Sequence, residues 1–495
     1  MRRPLLFLAV VMTMATSVFP LTRAAAGTTN DITWTPCAEN PAAECGTLTV
    51  PIDWRTPGGP TVDLAVARRK ATDPAARTGS LIVNPGGPGE SGVDFVLRRT
   101  AFFSEELTRR FDLIGFDPRG VARSNPVVCS ADVVQQAPAD PFMKSQADFD
   151  LWLDYSRRLR ADCRARTGPL FDHVDTASVV NDVDALRAAV GDTRLAFYGL
   201  SYGTLIGQLY AERFPGRVRA LALDSNVDHS LGTAAFLGTG AATAQDSFDE
   251  FVTWCERESS CALHGQDVRA FWSSLLERAG RGQVHYPGDP SFVLTTLELI
   301  RLPFSAAYGS YWQQLAELMA AIDSGATPRS ALPETFTLRR EHLREGLVAN
   351  PLQIVCEDFH LPIRGYPEFA AHLRRMKRLA PDMLVSPLTY SFTMACLAEP
   401  APVPNPQHRL RVSGTPVLLL ANSLHDPSTG YAWASNVARQ IGREARLLTY
   451  EGGGHSVYYR SACARDAIDR YLIAGTLPTD GARCPAVENA GDFVS

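Results

Sequence analysis

Three residues in this chain are spaced in a way that could carry acyl transfer: a serine between glycines, a later aspartate and a still later histidine. Ser201 lies in Phe197-Tyr198-Gly199-Leu200-Ser201-Tyr202-Gly203. A serine hydroxyl is a weak nucleophile at neutral pH until a neighbouring base takes its proton. The apolar run Leu195 to Tyr198 before it, and Leu205, Leu209 and Tyr210 after it, predict strand, sharp turn and helix. In such a turn the serine is forced toward strained backbone angles, and glycine at 199 and 203 leaves it room. Of the ten histidines, His455 fits the base, because Gly452-Gly453-Gly454-His455 follows the last predicted strand. Asp426, just past the predicted strand Pro416 to Ala421, fits the acid that fixes the imidazole's tautomer. Asp224, closing the predicted strand Val218 to Leu223, is the competing acid and the better candidate for holding a loop. Two donors are needed for the developing oxyanion. The N–H of Tyr202 follows the nucleophile, and Gly87 lies in the glycine-rich loop after the strand Ser80 to Val83.

These residues need a scaffold, and the pattern supplies one. Short strands (Cys45 to Asp53, Val62 to Arg69, Ser80 to Val83, Phe111 to Phe116) precede an insertion carrying Cys129 and Cys163. A helix over Val179 to Val190 then leads to the serine strand. Strands alternating with helices at this spacing predict a mostly parallel α/β sheet. From about Asp228 to Glu399 apolar residues recur at three- and four-residue steps, as in Phe248 to Cys255 and Trp312 to Ile322. This predicts a helical cap interrupting one catalytic domain: core over 27–227, cap over 228–399, core again over 400–495. The stiff segment Pro400 to Pro406 marks the return. Helices near Tyr431 to Ile441 and Val457 to Ile473, with a strand Ala445 to Tyr450, complete the expected order.

Composition narrows the class. The chain has 495 residues, a net charge of −5 and no basic stripe, which argues against nucleic acid as a partner. Residues 1–26 read as a cleaved secretory signal, with Arg2 and Arg3, the apolar run Leu5 to Val18, and Ala24-Ala25-Ala26. Its removal takes three arginines and deepens the charge to −8, so no stable membrane association is expected. Ten cysteines in an exported chain suggest disulfides, here sequence-local pairs: 37 with 45, 129 with 163, 255 with 261, 356 with 396, 463 with 484. No C-x-x-C or H-E-x-x-H spacing occurs, so neither metal nor organic cofactor is expected.

Asn84-Pro85-Gly86-Gly87-Pro88-Gly89, Asp117-Pro118-Arg119-Gly120, Gly199 to Thr204, Asp426-Pro427-x-Thr429 and the C-terminal histidine together resemble one family. It is that of the proline iminopeptidases and secreted bacterial tripeptidyl aminopeptidases, and the resemblance spans nearly the whole mature chain. One departure is Gly430, where a proline often follows the threonine. The resemblance implies an α/β-hydrolase fold with a helical cap and a characteristic C-terminal segment. It implies an extracellular serine aminopeptidase, or an esterase or amidase with the same triad. An aminopeptidase needs a carboxylate for the substrate's amine. Ile354-Val355-Cys356-Glu357-Asp358 resembles a family segment with an acid beside a cysteine, making Glu357 and, by spacing, Asp358 the candidates.

Overall fold

Strands buried on both faces should carry continuous apolar runs, and the central strands of this chain do, in Leu81–Val83, Leu195–Tyr198, Ala220–Leu223 and Leu418–Ala421. The structure, a computed structural model, describes residues 31–326, 346–398 and 403–487. The expected signal segment and the first part of the Pro400–Pro406 connector lie outside the described residues. Ten strands form one sheet: β1 (Thr35–Pro36), β2 (Glu44–Pro51), β3 (Thr61–Arg69), β4 (Gly79–Asn84), β5 (Phe111–Phe116), β6 (Leu195–Leu200), β7 (Val218–Asp224), β8 (Leu418–His425), β9 (Ala445–Gly453) and β10 (Arg483–Cys484). Their order is β1-β2-β3-β5-β4-β6-β7-β8-β9-β10. The first three strands and the β3–β5 pair are antiparallel. Every pair from β5–β4 onward is parallel. This is the α/β-hydrolase architecture expected from the sequence.

Alternation along the strands divides the core. Phe197, Leu221, Leu223, Leu418 and Leu420 face one hydrophobic cluster. Their neighbours Ala196, Tyr198, Ala220, Ala222 and Leu419 face the other. The two-residue period thus makes both faces apolar, and helices cover each. A third cluster is built from the helices Thr233–Arg257, Val268–Gly280, Thr296–Gly309, Trp312–Ser324, Tyr366–Leu379 and Pro387–Ala395.

Two local features depart from the sequence reading. The helix expected over Val457 to Ile473 is two helices, Val457–Arg460 and Ala462–Ala474. Ser461 breaks it in extended backbone and caps the second helix by accepting from Ala464 N. The insertion carrying Cys129 and Cys163 joins the helical layer: Val128–Ser130 pairs with Leu347–Ala349. On the helix Gln146–Thr167, Phe149 packs into the third cluster while Leu159 packs into the first. All five expected disulfides are present, and no cysteine is free.

Candidate active site

The strand β6 ends in a turn that enters the helix Gly203–Arg213 at once. Ser201, on that turn, has φ +57, the left-handed region that a side chain adopts only under constraint. The constraint is crowding. A Cβ at Gly199 would stand 2.5 Å from the Gly203 carbonyl oxygen, and one at Gly203 would stand 2.6 Å from that of Asn84. Ser201 N donates to Asp224 O at 2.9 Å, tying the turn to β7. The glycine loop presses in from β4: at Gly86, with φ +94, a Cβ would lie 2.7 Å from Tyr202 N. Gly86 N donates to Asn84 Oδ1 at 3.0 Å. Gly87 lines the same narrow space as Ser201 and Tyr202.

His455 follows β9, and its Nδ1 lies 3.0 Å from both oxygens of Asp426, which sits just past the end of β8. Asp426 is completely buried, and Ser428 N and Thr429 N each donate to its Oδ1 at 2.9 Å. Burial works to raise its pKa, but the His455 contact and these donors prevail and hold it below the usual carboxylate range. Asp224 does something else. It accepts from Val457 N at 2.9 Å, Tyr458 N at 3.0 Å and the Tyr198 hydroxyl at 2.8 Å. It therefore clamps the backbone just after the histidine, while Asp426 meets the imidazole. Ser201 Oγ and His455 make no hydrogen bond in this state, as is common before substrate tightens such a site.

The helical layer supplies the other wall of His455. The Tyr308 ring lies 5.0 Å from the imidazole, centroid to centroid, and its carbonyl accepts from His455 N at 3.2 Å. Arg460 also donates to the Tyr308 carbonyl. Trp312, farther along the helical layer, packs on Phe251 within the helical cluster. Gly430, the departure noted above, has a packing reason: a Cβ there would lie 2.1 Å from Thr243 Oγ1 of the long helix Thr233–Arg257.

Glu357 and Asp358 require a correction. Neither lines the space beside Ser201. Glu357 is buried and paired with Arg160 at 2.7 Å. Asp358 is fully buried and accepts four hydrogen bonds: from Thr176 N (2.8 Å), Thr176 Oγ1 (2.6 Å), Asn405 Nδ2 (2.7 Å) and the Tyr202 hydroxyl (2.6 Å). Those bonds occupy the lone pairs that a substrate amine would use. Burial first, and the Asp175 carboxylate next, push its pKa up to about 7 against the pull of these donors. Its position is beneath the nucleophile turn, gripping the side chain whose N–H follows Ser201. Sequence spacing marked the residue but not the direction of its carboxylate.

The space beside Ser201 is a notch of about 20 Å³ walled by Val227, Phe236, Phe359, Leu388, Phe392 and Trp433. No acid lines it. A small apolar group fits such a place better than a charged one.

A family model described as TAP-like protein matches residues 382–484. Serine protease Hip1 of Mycobacterium tuberculosis (strain ATCC 25618 / H37Rv) is 31% identical over 476 residues, covering 92% of this chain and 91% of that one. Tripeptidyl aminopeptidase of Streptomyces coelicolor is 30% identical, covering 90% of this chain and 84% of that one. The chain belongs to the tripeptidyl aminopeptidase-like family of α/β-hydrolases. Carboxylesterase B of Mycobacterium tuberculosis (strain ATCC 25618 / H37Rv) is also similar, at 32% identity over 91% of this chain and 89% of that one. This family member is a serine hydrolase. Among its described residues, no helix is long and apolar enough to cross a membrane.

Proposed function

We propose that this hydrolase is an exported serine aminopeptidase that releases short N-terminal units from peptides through an acyl-enzyme. Ser201 attacks the carbonyl carbon while His455 takes its proton, and Asp426 holds the imidazole's tautomer and balances its charge. The N–H groups of Tyr202 and Gly87 receive the oxyanion. His455 then protonates the leaving amine, and water resolves the ester. The observation that carries this reading is the pair of 3.0 Å contacts from Asp426 to Nδ1 of a histidine that follows the last long strand. The five disulfides support export, because such bonds persist in oxidising compartments.

A second reading, an esterase or amidase acting on a small molecule, is favoured by the acid-free apolar notch. One comparison separates them: a tripeptide anilide with a free amine, its N-acetylated form, and short acyl esters. The aminopeptidase reading expects the free amine to be preferred, and preference for the blocked substrate or the ester overturns it. Ser201→Ala should remove turnover of whichever substrate wins; undiminished turnover in that variant removes the mechanism.

A further inference from the structure

A second cavity, of about 700 Å³, lies between the helix Gln146–Thr167 and the helices Thr296–Gly309, Leu352–Asp358 and Pro387–Ala395. Two elements of its wall also touch the catalytic region. On the helix Pro387–Ala395, Leu388 and Phe392 wall the notch while Ser391 lines the cavity. Pro351, also in its wall, packs against Gly89 of the glycine loop so closely that a Cβ there would be 2.3 Å away.

Two polar side chains in this wall lack what their neighbours have. Arg301, on the helix Thr296–Gly309, has no carboxylate within ion-pair distance among the described residues and makes one long contact, 3.4 Å, to Ser391 Oγ. The acid one turn earlier, Glu298, is committed to its own helix start: its Oε2 accepts from Thr295 N at 2.8 Å and Thr295 Oγ1 at 2.7 Å. Burial pulls the guanidinium's pKa down, with the charge of Glu298 opposing. Gln353 is 1% exposed, and its Oε1 has no hydrogen-bond partner. A buried amide oxygen left unpaired is costly, so Gln353 adds strain to this wall. A roomy, largely apolar cavity with a few convergent polar groups is the usual form of a ligand site.

We propose that this cavity is a substrate subsite that holds the peptide segment beyond the reacting acyl group, Arg301 binding a carboxylate on that segment. The planar guanidinium suits a carboxylate through paired N–H donors. The carboxylate comes from the peptide's C-terminus or from an aspartate or glutamate side chain. The proposal rests on the peptidase reading above.

The test is a binding measurement, so that it does not depend on turnover. Full-length Ser201→Ala protein is titrated with tetra-alanine as the free acid, as the C-terminal carboxamide, and as a carboxamide carrying one aspartate. The expected result is about tenfold tighter binding of the free acid than of the plain amide. If the aspartate-bearing amide recovers that advantage, the site reads a side-chain carboxylate as well; if it does not, the site reads the terminus. In the Ser201→Ala/Arg301→Gln protein the ratio of acid to amide affinity should fall to about one, and Arg301→Lys should restore part of it. Because the readout is a ratio within one protein, general loss of folding does not imitate it. Equal affinities in the Arg301 protein, or a preference that survives Arg301→Gln, overturn the proposal. Failure of the wild-type chain to cleave any peptide would overturn the peptidase reading separately.

Discussion

The sheet edge and the helical layer treat their buried polar groups in opposite ways. At the ends of β7 and β8, Asp224, Asp426 and the neighbouring Asp358 are completely buried, and each accepts at least three hydrogen bonds or imidazole contacts. In the helical layer, Arg301 lines a cavity with one long contact, to Ser391 Oγ, and no carboxylate within ion-pair distance among the described residues. The difference follows from what each region must do. Buried carboxylates that hold neighbouring groups in place do so through saturated hydrogen bonds. Recognition groups must keep donors and acceptors free for a partner.

The strongest way to break this contrast is at the paired acids. Asp426→Asn should lower kcat about 10⁴-fold with little change in melting temperature, because the wrong tautomer is held in nearly the same place. Asp224→Asn should do the reverse, costing about 3 kcal/mol of stability through the clamp on Val457 and Tyr458, with a smaller loss of kcat. Parallel kinetics and thermal melts check both, and a larger kcat loss in Asp224→Asn would exchange the roles.

Asp358→Ala comes next. Leaving Tyr202 untethered should reduce kcat about 10²-fold, the scale of one misplaced oxyanion donor. Its KM for a small acyl ester should move less. If KM for free-amine substrates rose while kcat held, Asp358 would after all contact substrate.

Two smaller effects probe the junction between the regions. Cys356–Cys396 links the helix Leu352–Asp358 to the end of Pro387–Ala395. Replacing both cysteines by serine should cost ~2–4 kcal/mol in denaturant unfolding. His425, at the end of β8, places Nδ1 2.9 Å from Asp246 Oδ2 and 3.7 Å from Glu250 Oε1 on the helix Thr233–Arg257. The Asp246 hydrogen bond raises its pKa against the opposing effect of burial. This contribution is complete below the imidazole's ordinary pKa and is lost as pH rises through the raised value. His425→Asn should therefore flatten the fall in melting temperature on the alkaline side, by about 1–2 °C between about pH 5 and 9.

Much of this was legible in one dimension. Phe111–Phe116 and Tyr431–Ile441 have the bounds that periodicity predicts. Residues that meet at the site sit at strand ends, where glycine and apolar runs leave a clear local signature. Cysteine pairing was legible because each pair closes a short or moderate loop, 6 to 40 residues, within one region. The direction of a buried side chain has no such signature. Asp358 carries the same letters whether it faces substrate or the underside of Tyr202.

The sequence by itself determined the order of elements, the strained turn at Ser201 and the glycine loop beside it, because glycine placement and apolar period act locally. Which of two aspartates meets His455, where Glu357 and Asp358 point, and that Arg301 and Gln353 share a cavity were decided by tertiary structure. The partners of Glu357 and Asp358 (Arg160, Thr176 and Tyr202) lie 156 to 197 residues away in the chain, and such groups meet only when the chain folds.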